Sequence, residues 1–199
     1  MQQLLNELLS YSRVASRNNP LVPVCSEDAL QNAINNLRRI IEESSATVAE
    51  LDVLPNILGD EIQLTQVFQN LLANAIKCCP GDRSPHVQVS AAEQDDAWLF
   101  EVTDDGIGME PQYLDKIFNM VQRLHSRSEY PGTGVGLAIC RKIIVRHGGD
   151  IWVESQPGSG SAFYFTLPKA TSNVGSVPIQ SSSSANLTRA SAEPERRAG

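Results

Sequence analysis

YPGTGVGLAIC, residues 130–140, sets glycines at 132, 134 and 136 and then opens an apolar run with helical spacing. A glycine loop that feeds a helix is a ready anion site, because unpaired N–H groups and the positive end of the helix dipole point at the ligand. The spacing decides which fold can carry it. A dinucleotide fold needs G-x-G-x-x-G in the first turn of a βαβ unit. Here the third glycine comes one place early, and the loop lies late in the chain after a long irregular stretch. A P-loop needs G-x-x-x-x-G-K-[ST], and the chain has no such string. Taken alone, the glycines would equally serve turn geometry.

Outward from the loop, residues 136–147 form an expected helix closed by Gly148 and Gly149. DIWVES and SAFYFTLP are expected strands joined by the turn QPGSG. On the other side, HVQVSAAE and AWLFEVTD alternate around the polar pair Asp95 and Asp96, which predicts a hairpin. Residues 104–135 are glycine-, proline- and polar-rich, with a short helix expected around 113–121. Asp60 with Gln63 reads as a capping box for a helix that runs to about Lys77. TVAELDV reads as a strand. Leu30, Ile34, Leu37 and Ile41 mark an amphipathic helix with Ser26 as its expected N-cap. Pro20 and Pro23 impose an extended segment, and Leu4, Leu8 and Tyr11 share one stripe of a helix over 1–17. From Thr171 the chain is Ser-rich and poor in apolar residues, so a disordered tail is expected over 170–199. The class is therefore α/β: a two-layer α/β sandwich with a mixed sheet packed on helices, not a doubly wound βαβ fold.

The chain has 199 residues, 41% apolar, enough for one domain with a core. A net charge of −7 argues against nucleic acid or an anionic membrane as the main partner. No apolar run reaches the ~18 residues of a bilayer span, and MQQLLNELL lacks the basic start of a signal peptide. Cys25, Cys78, Cys79 and Cys140 form no C-x-x-C pair, so zinc is not expected; they read as reduced thiols of a cytoplasmic protein.

Three further stretches carry nucleotide chemistry. In QNLLANAIK, Asn70 and Asn74 lie four apart on one helix face, and Lys77 follows one turn on. An asparagine carbonyl is a neutral hard ligand suited to Mg²⁺, and lysine supplies point charge to phosphate. By itself this is also the pattern of a solvated polar face. In TDDGIGM, Asp104 ends a strand, and its carboxylate can accept from an exocyclic amine such as adenine N6. Gly106 and Gly108 let backbone approach a flat base. A calcium loop is excluded, because Phe100 and Val102 stand where oxygen ligands belong. In KIFNMVQRLHSR, Phe118 could anchor a lid, and Arg123 and His125 could reach phosphate; a plain basic surface helix is the simpler reading.

The ordered set resembles the ATP-binding catalytic domain of sensor histidine kinases, a branch of the Bergerat-fold (GHKL) ATPases that includes gyrase-type topoisomerases, MutL proteins and ATP-dependent chaperones. NLLANAIK resembles the N box, DDGIG the G1 box, KIFNMVQRL the F box, GTGVGLAIC the G2 box, and GSGSAFYFTLP the closing strand pair. The resemblance covers residues 20–169 and implies Mg²⁺–ATP held under a flexible lid. It implies that Asp104 recognises adenine beside Gly106 and Gly108, with Ser161 supporting the base through a water. Asn74, assisted by Asn70, would hold Mg²⁺. Lys77 and Arg123 would contact phosphates, with backbone around Gly132, Thr133, Gly134, Val135, Gly136 and Leu137. Asn70 stands where the hydrolase branches place a glutamate that activates water; an amide cannot take that proton.

Val121 departs from the F-box pattern, which has a phenylalanine there. None of His86, His125 and His147 sits in H-E-[LI]-R-[TS]-P, so the phosphoacceptor is expected on another helical domain. MQQLLNELLSYSRV looks like the end of the second dimerisation helix, placed at 1–19, in kinases of the bacterial phytochrome or PAS/GAF kind. The resemblance also implies a response-regulator receiver domain downstream and a homodimer of a longer protein. Two alternatives stand beside this reading: a stand-alone serine kinase of the anti-sigma-factor type, and a nucleotide-gated binding module.

Overall fold

The computed structural model describes Leu9, Tyr11, Ser12, residues 20–119 and residues 133–169. The expected tail over 170–199 and most of the expected first helix lie outside the described residues.

The sheet is mixed and five-stranded, in the order β2-β4-β5-β7-β6. Its strands are β2 (Thr47–Glu50), β4 (His86–Glu93), β5 (Ala97–Asp104), β6 (Ile151–Ser155) and β7 (Ser161–Pro168). β2 pairs parallel to β4; the other neighbours are antiparallel. The alternation in β4, β5 and β7 puts one parity inward: Val87, Val89, Phe100, Val102, Phe163, Phe165 and Leu167 are buried. β2 is shorter than TVAELDV suggested. Leu51 still donates to the Val89 carbonyl at 2.9 Å, but Val53 is 89% exposed, so the chain has left the sheet.

Among the described residues the inward face is covered by α1 (Ser26–Ser44), α2 (Glu61–Lys77) and α3 (Gly136–Arg146). Ala29, Leu30, Ala33 and Leu37 bury one stripe of α1, while Arg38–Glu42 and Arg39–Glu43 pair across its outer face. From α2, Phe68 stands edge-on to Phe100 and Phe165 with centroids 6.2 and 5.9 Å away. Those two rings stack at 4.8 Å, a geometry that adds to the area they bury. Tyr11 packs partly against this core, with Lys142 Nζ 3.8 Å from its ring centroid and donating to its carbonyl.

Three local expectations change. Ser26 does not cap α1: Cys25 is the cap residue, and the buried Ser26 hydroxyl donates instead to the Pro55 carbonyl. Asp60 does cap α2, accepting from the Ile62 and Gln63 N–H groups, but Gln63 does not return the bond. The Asp60 N–H goes to His147 Nε2 at 3.0 Å, and Gln63 Oε1 accepts from Arg146. In place of a helix from 113, the described residues form a 3₁₀ turn, Pro111–Tyr113, and further turns to Asn119. Those turns sink Ile117 and Phe118 together into the core, Phe118 edge-on to Phe163 at 6.5 Å. A short ribbon, β1 (Val22–Cys25) with β3 (Asn56–Gly59), completes the fold.

Candidate functional site

The inward parity of β5 runs Phe100, Val102 and then Asp104, so a strand that buries apolar side chains ends by burying a carboxylate. Asp104 faces Ser161, the first residue of β7, in the sheet register. Its Oδ1 accepts from the Gly106 N–H at 2.8 Å, and the Ser161 N–H also donates to the carboxylate. Burial pushes the Asp104 carboxyl up to about 6, against the pull of those two donors, and the neighbouring Asp105 charge adds to the rise.

The loop after Asp104 is held on three sides. The Ile107 N–H donates to the Cys78 carbonyl at 2.9 Å, its carbonyl accepts from Gly158, and the Met109 N–H donates to Ser155 Oγ at 2.8 Å. A Cβ on Gly106 would sit 2.7 Å from both Asp104 Oδ1 and the Cys78 carbonyl. Gly108 has φ +67, and a Cβ there would overlap the Gln156 carbonyl. Both positions therefore need glycine, which leaves bare backbone beside the carboxylate.

Cys78 joins this corner to α2. Burial, and then the Asp104 charge, push its thiol up to about 11, while Lys77 pulls the other way. Along α2, Asn70, Asn74 and Lys77 are half-buried on one side while Leu71, Leu72, Ala75 and Ile76 are buried on the other. Asn70 Nδ2 donates to the Gly136 carbonyl at 3.2 Å, tying α2 to the start of α3. The side chains of Asn74 and Lys77 form no hydrogen bond with another described residue. Among the described residues α3 has no side-chain cap, and its first N–H groups lie at the positive end of the helix dipole. Gly134 (φ +75), buried Val135, Gly136 and Leu137 lead into it, with Thr133 before them.

The structure thus brings Asp104, Gly106, Gly108 and Ser161 together at one end of α2, and Asn70 and Gly136 together further along it. Arg123, Gly132, Val121 and His125 lie outside the described residues. Sequence reasoning missed Ser155, Cys78 and Gly160. Gly160 (φ +82) lies flat on the Asp104 backbone, where a Cβ would overlap the Asp104 carbonyl. Its signal was the second glycine of QPGSG. His147, expected merely to close a helix, is buried with both ring nitrogens bonded, to the Ile143 carbonyl and the Asp60 N–H.

Three comparisons with known proteins bear on this arrangement. Residues 59–171 match the model of the histidine kinase-, DNA gyrase B- and HSP90-like ATPases. The chain is 48% identical over 168 residues to the phytochrome-like protein Cph1 of Synechocystis sp., a match covering 84% of this chain and 22% of that protein. The chain thus spans about a fifth of the length of such a relative. Among solved structures it superposes on the mycobacterial sensor histidine kinase MprB with a TM-score of 0.65 at 27% identity, covering 74% of this chain and 97% of that one. It also superposes on full-length ShkA in complex with AMPPNP, with a TM-score of 0.71 at 28% identity, covering 83% of this chain and 35% of that one. The α/β sandwich read from the sequence is the fold of these catalytic domains.

Proposed function

The chain belongs to the histidine kinase-, DNA gyrase B- and HSP90-like ATPase family, and on that footing we propose that it binds Mg²⁺–ATP and donates the γ-phosphoryl group to a histidine of a helical dimerisation domain in two-component signalling. Residues 20–169 form the catalytic domain in this reading, with 1–19 the end of the dimerisation helix and 170–199 a tail. The acceptor lies on another domain, a response-regulator receiver domain acts downstream, and the longer protein pairs as a homodimer. Among the described residues no helix is long and apolar enough to cross a membrane, and the reading assigns the domain to the cytoplasm.

The residues present suit the ligand. Asp104, with the bare backbone of Gly106 and Gly108 and the Ser161 hydroxyl, receives the base. Lys77, Arg123, and the N–H groups of Gly132, Thr133, Gly134, Val135, Gly136 and Leu137 receive the phosphates. Asn74, whose amide oxygen is uncommitted among the described residues, would hold Mg²⁺ with help from Asn70. When bound, the ion offsets charge on the phosphate oxygens. The bound AMPPNP of ShkA supports the same class of ligand here.

The observation that carries the kinase reading is Asn70, an amide locked to the Gly136 carbonyl at the start of α3. It cannot act as a general base, so water attack lacks its proton acceptor and the site favours a nucleophile delivered from outside. Incubation with γ-labelled ATP and a helical acceptor domain tests this. Label that is transferred and lost on acid treatment is expected, and Asn74→Ala should abolish it. Acid-stable label on serine would move the chain to the serine-kinase reading, and binding without transfer would make it a nucleotide-gated module.

A further inference from the structure

Ser155 ends β6, and its hydroxyl meets groups from three separate positions. The Met109 N–H donates to Ser155 Oγ at 2.8 Å. The Gly160 carbonyl oxygen stands 2.8 Å away, and Ser161 Oγ stands 3.0 Å away. A serine hydroxyl has one proton and two acceptor lone pairs. Met109 occupies one lone pair. Were the proton given to Ser161, a lone pair of Ser155 would face the Gly160 carbonyl, acceptor against acceptor. The proton therefore goes to Gly160, and the Ser161 hydroxyl spends its own proton on Ser155. This arrangement fills all three valences of Ser155 and leaves no polar atom opposed.

It also fixes what Ser161 can offer a ligand. Ser161 is 8% exposed, and with its proton on Ser155 its hydroxyl has only lone pairs left for a further partner. Asp104, its register partner, is acceptor-only when ionised. These two side chains then offer a base acceptors and no donor. A 6-amino purine brings its amino hydrogens to such a corner; a 6-oxo purine can give its ring N1–H to one acceptor but sets its O6 against the other.

We propose that Ser155 is a positioning residue which, by holding the Ser161 proton away from the base, makes the site select 6-amino over 6-oxo purine nucleotides. The inference rests on the nucleotide reading above. It assigns Ser155 no contact with the nucleotide; the residue acts through Ser161 and through the Met109 end of the loop after Asp104.

The test compares ADP with inosine diphosphate, which carries an oxo group at position 6, by calorimetric titration in magnesium into the full chain and its variants. The unaltered chain should prefer ADP. In Ser155→Ala the preference should fall about three- to tenfold, the worth of one neutral hydrogen bond, through weaker ADP binding. Ser161→Ala should lower the preference by a similar factor, and the double variant no further, because both act through one proton arrangement. Ser155→Thr, which keeps the hydroxyl, should retain the preference. A general loosening of the loop would weaken both diphosphates equally and leave the ratio unmoved. An unchanged ratio in Ser155→Ala or Ser161→Ala, or losses that add in the double variant, would overturn the proposal. If the unaltered chain binds neither diphosphate, the nucleotide reading itself falls and takes this inference with it.

Discussion

Asp104→Asn separates the cost of the site from its use. A carboxyl group whose half-titration point moves from 3.8 to about 6 on folding costs about 3 kcal/mol when it is ionised in the folded chain. The sign follows from proton counting. Between pH 4 and 6 the folded state holds the Asp104 proton more tightly than the unfolded state, so this residue's contribution to stability falls as pH rises through that window. Asparagine imitates the protonated form and can still accept from Gly106 through its amide oxygen. The variant should therefore be up to about 3 kcal/mol more stable than the parent at pH 7, about half that at pH 5, and equal to it below pH 4. Urea denaturation at three pH values measures the difference. Nucleotide affinity should move the opposite way. The ionised carboxylate accepts from an exocyclic amine, so the parent should bind ADP about tenfold more weakly at pH 5 than at pH 7, beyond any change seen in the variant, since about nine-tenths of Asp104 is protonated at the lower pH. A variant that is less stable than the parent at pH 7, or a stability difference that does not vary with pH, would refute the reasoning.

Other changes follow from the same geometry. Gly108→Ala meets both a positive φ and the Gln156 carbonyl; it should cost about 2 kcal/mol or more in urea unfolding and abolish ADP binding. His147 is held neutral, because burial lowers its pKa with Arg146 adding to the effect against opposition from Ile143 and Asp60. Stability should therefore fall as pH drops below about 6.5, where the unfolded imidazole takes a proton, and His147→Gln should lose that limb of the curve. Asn74→Ala should remove the magnesium dependence of ADP binding in calorimetry while leaving metal-free binding within about twofold, since a rim amide with no described partner leaves no buried group unpaired. Phe100→Ala, which empties the stacked centre of the core, should cost about 3–5 kcal/mol in the same urea assay.

The extent to which sequence foretold structure varied with how local the cause was. β4, β5 and β7 came out to the residue, because period-2 alternation reports burial directly. The same parity placed Asp104 on the inward face at a strand end. Helix α3 was legible from its glycine entry and the glycines that close it. The β1–β3 ribbon was not, because two four-residue strands, one containing Pro23 and the other following Pro55, offer no alternation to count. The missing half of the Asp60–Gln63 box and the failed Ser26 cap share a reason. Partners far off in the chain, His147 and Arg146 for one and Pro55 for the other, offered bonds that desolvated groups had to take. Ser155 was invisible for the same reason, since what it does depends on Met109 and Gly160 meeting it in space.

The central claim is that a purine nucleotide lies along α2, its base at Asp104 and its phosphates toward the start of α3. Amide chemical-shift titration of the chain with Mg²⁺–ADP addresses it directly. Saturable shifts are expected at Asn74, Lys77, Gly106, Gly108, Ser161 and residues 134–137, with the solvent-facing Trp152 and Tyr164 of β6 and β7 unmoved. Shifts centred on Trp152 and Tyr164, or none at millimolar nucleotide, would contradict it.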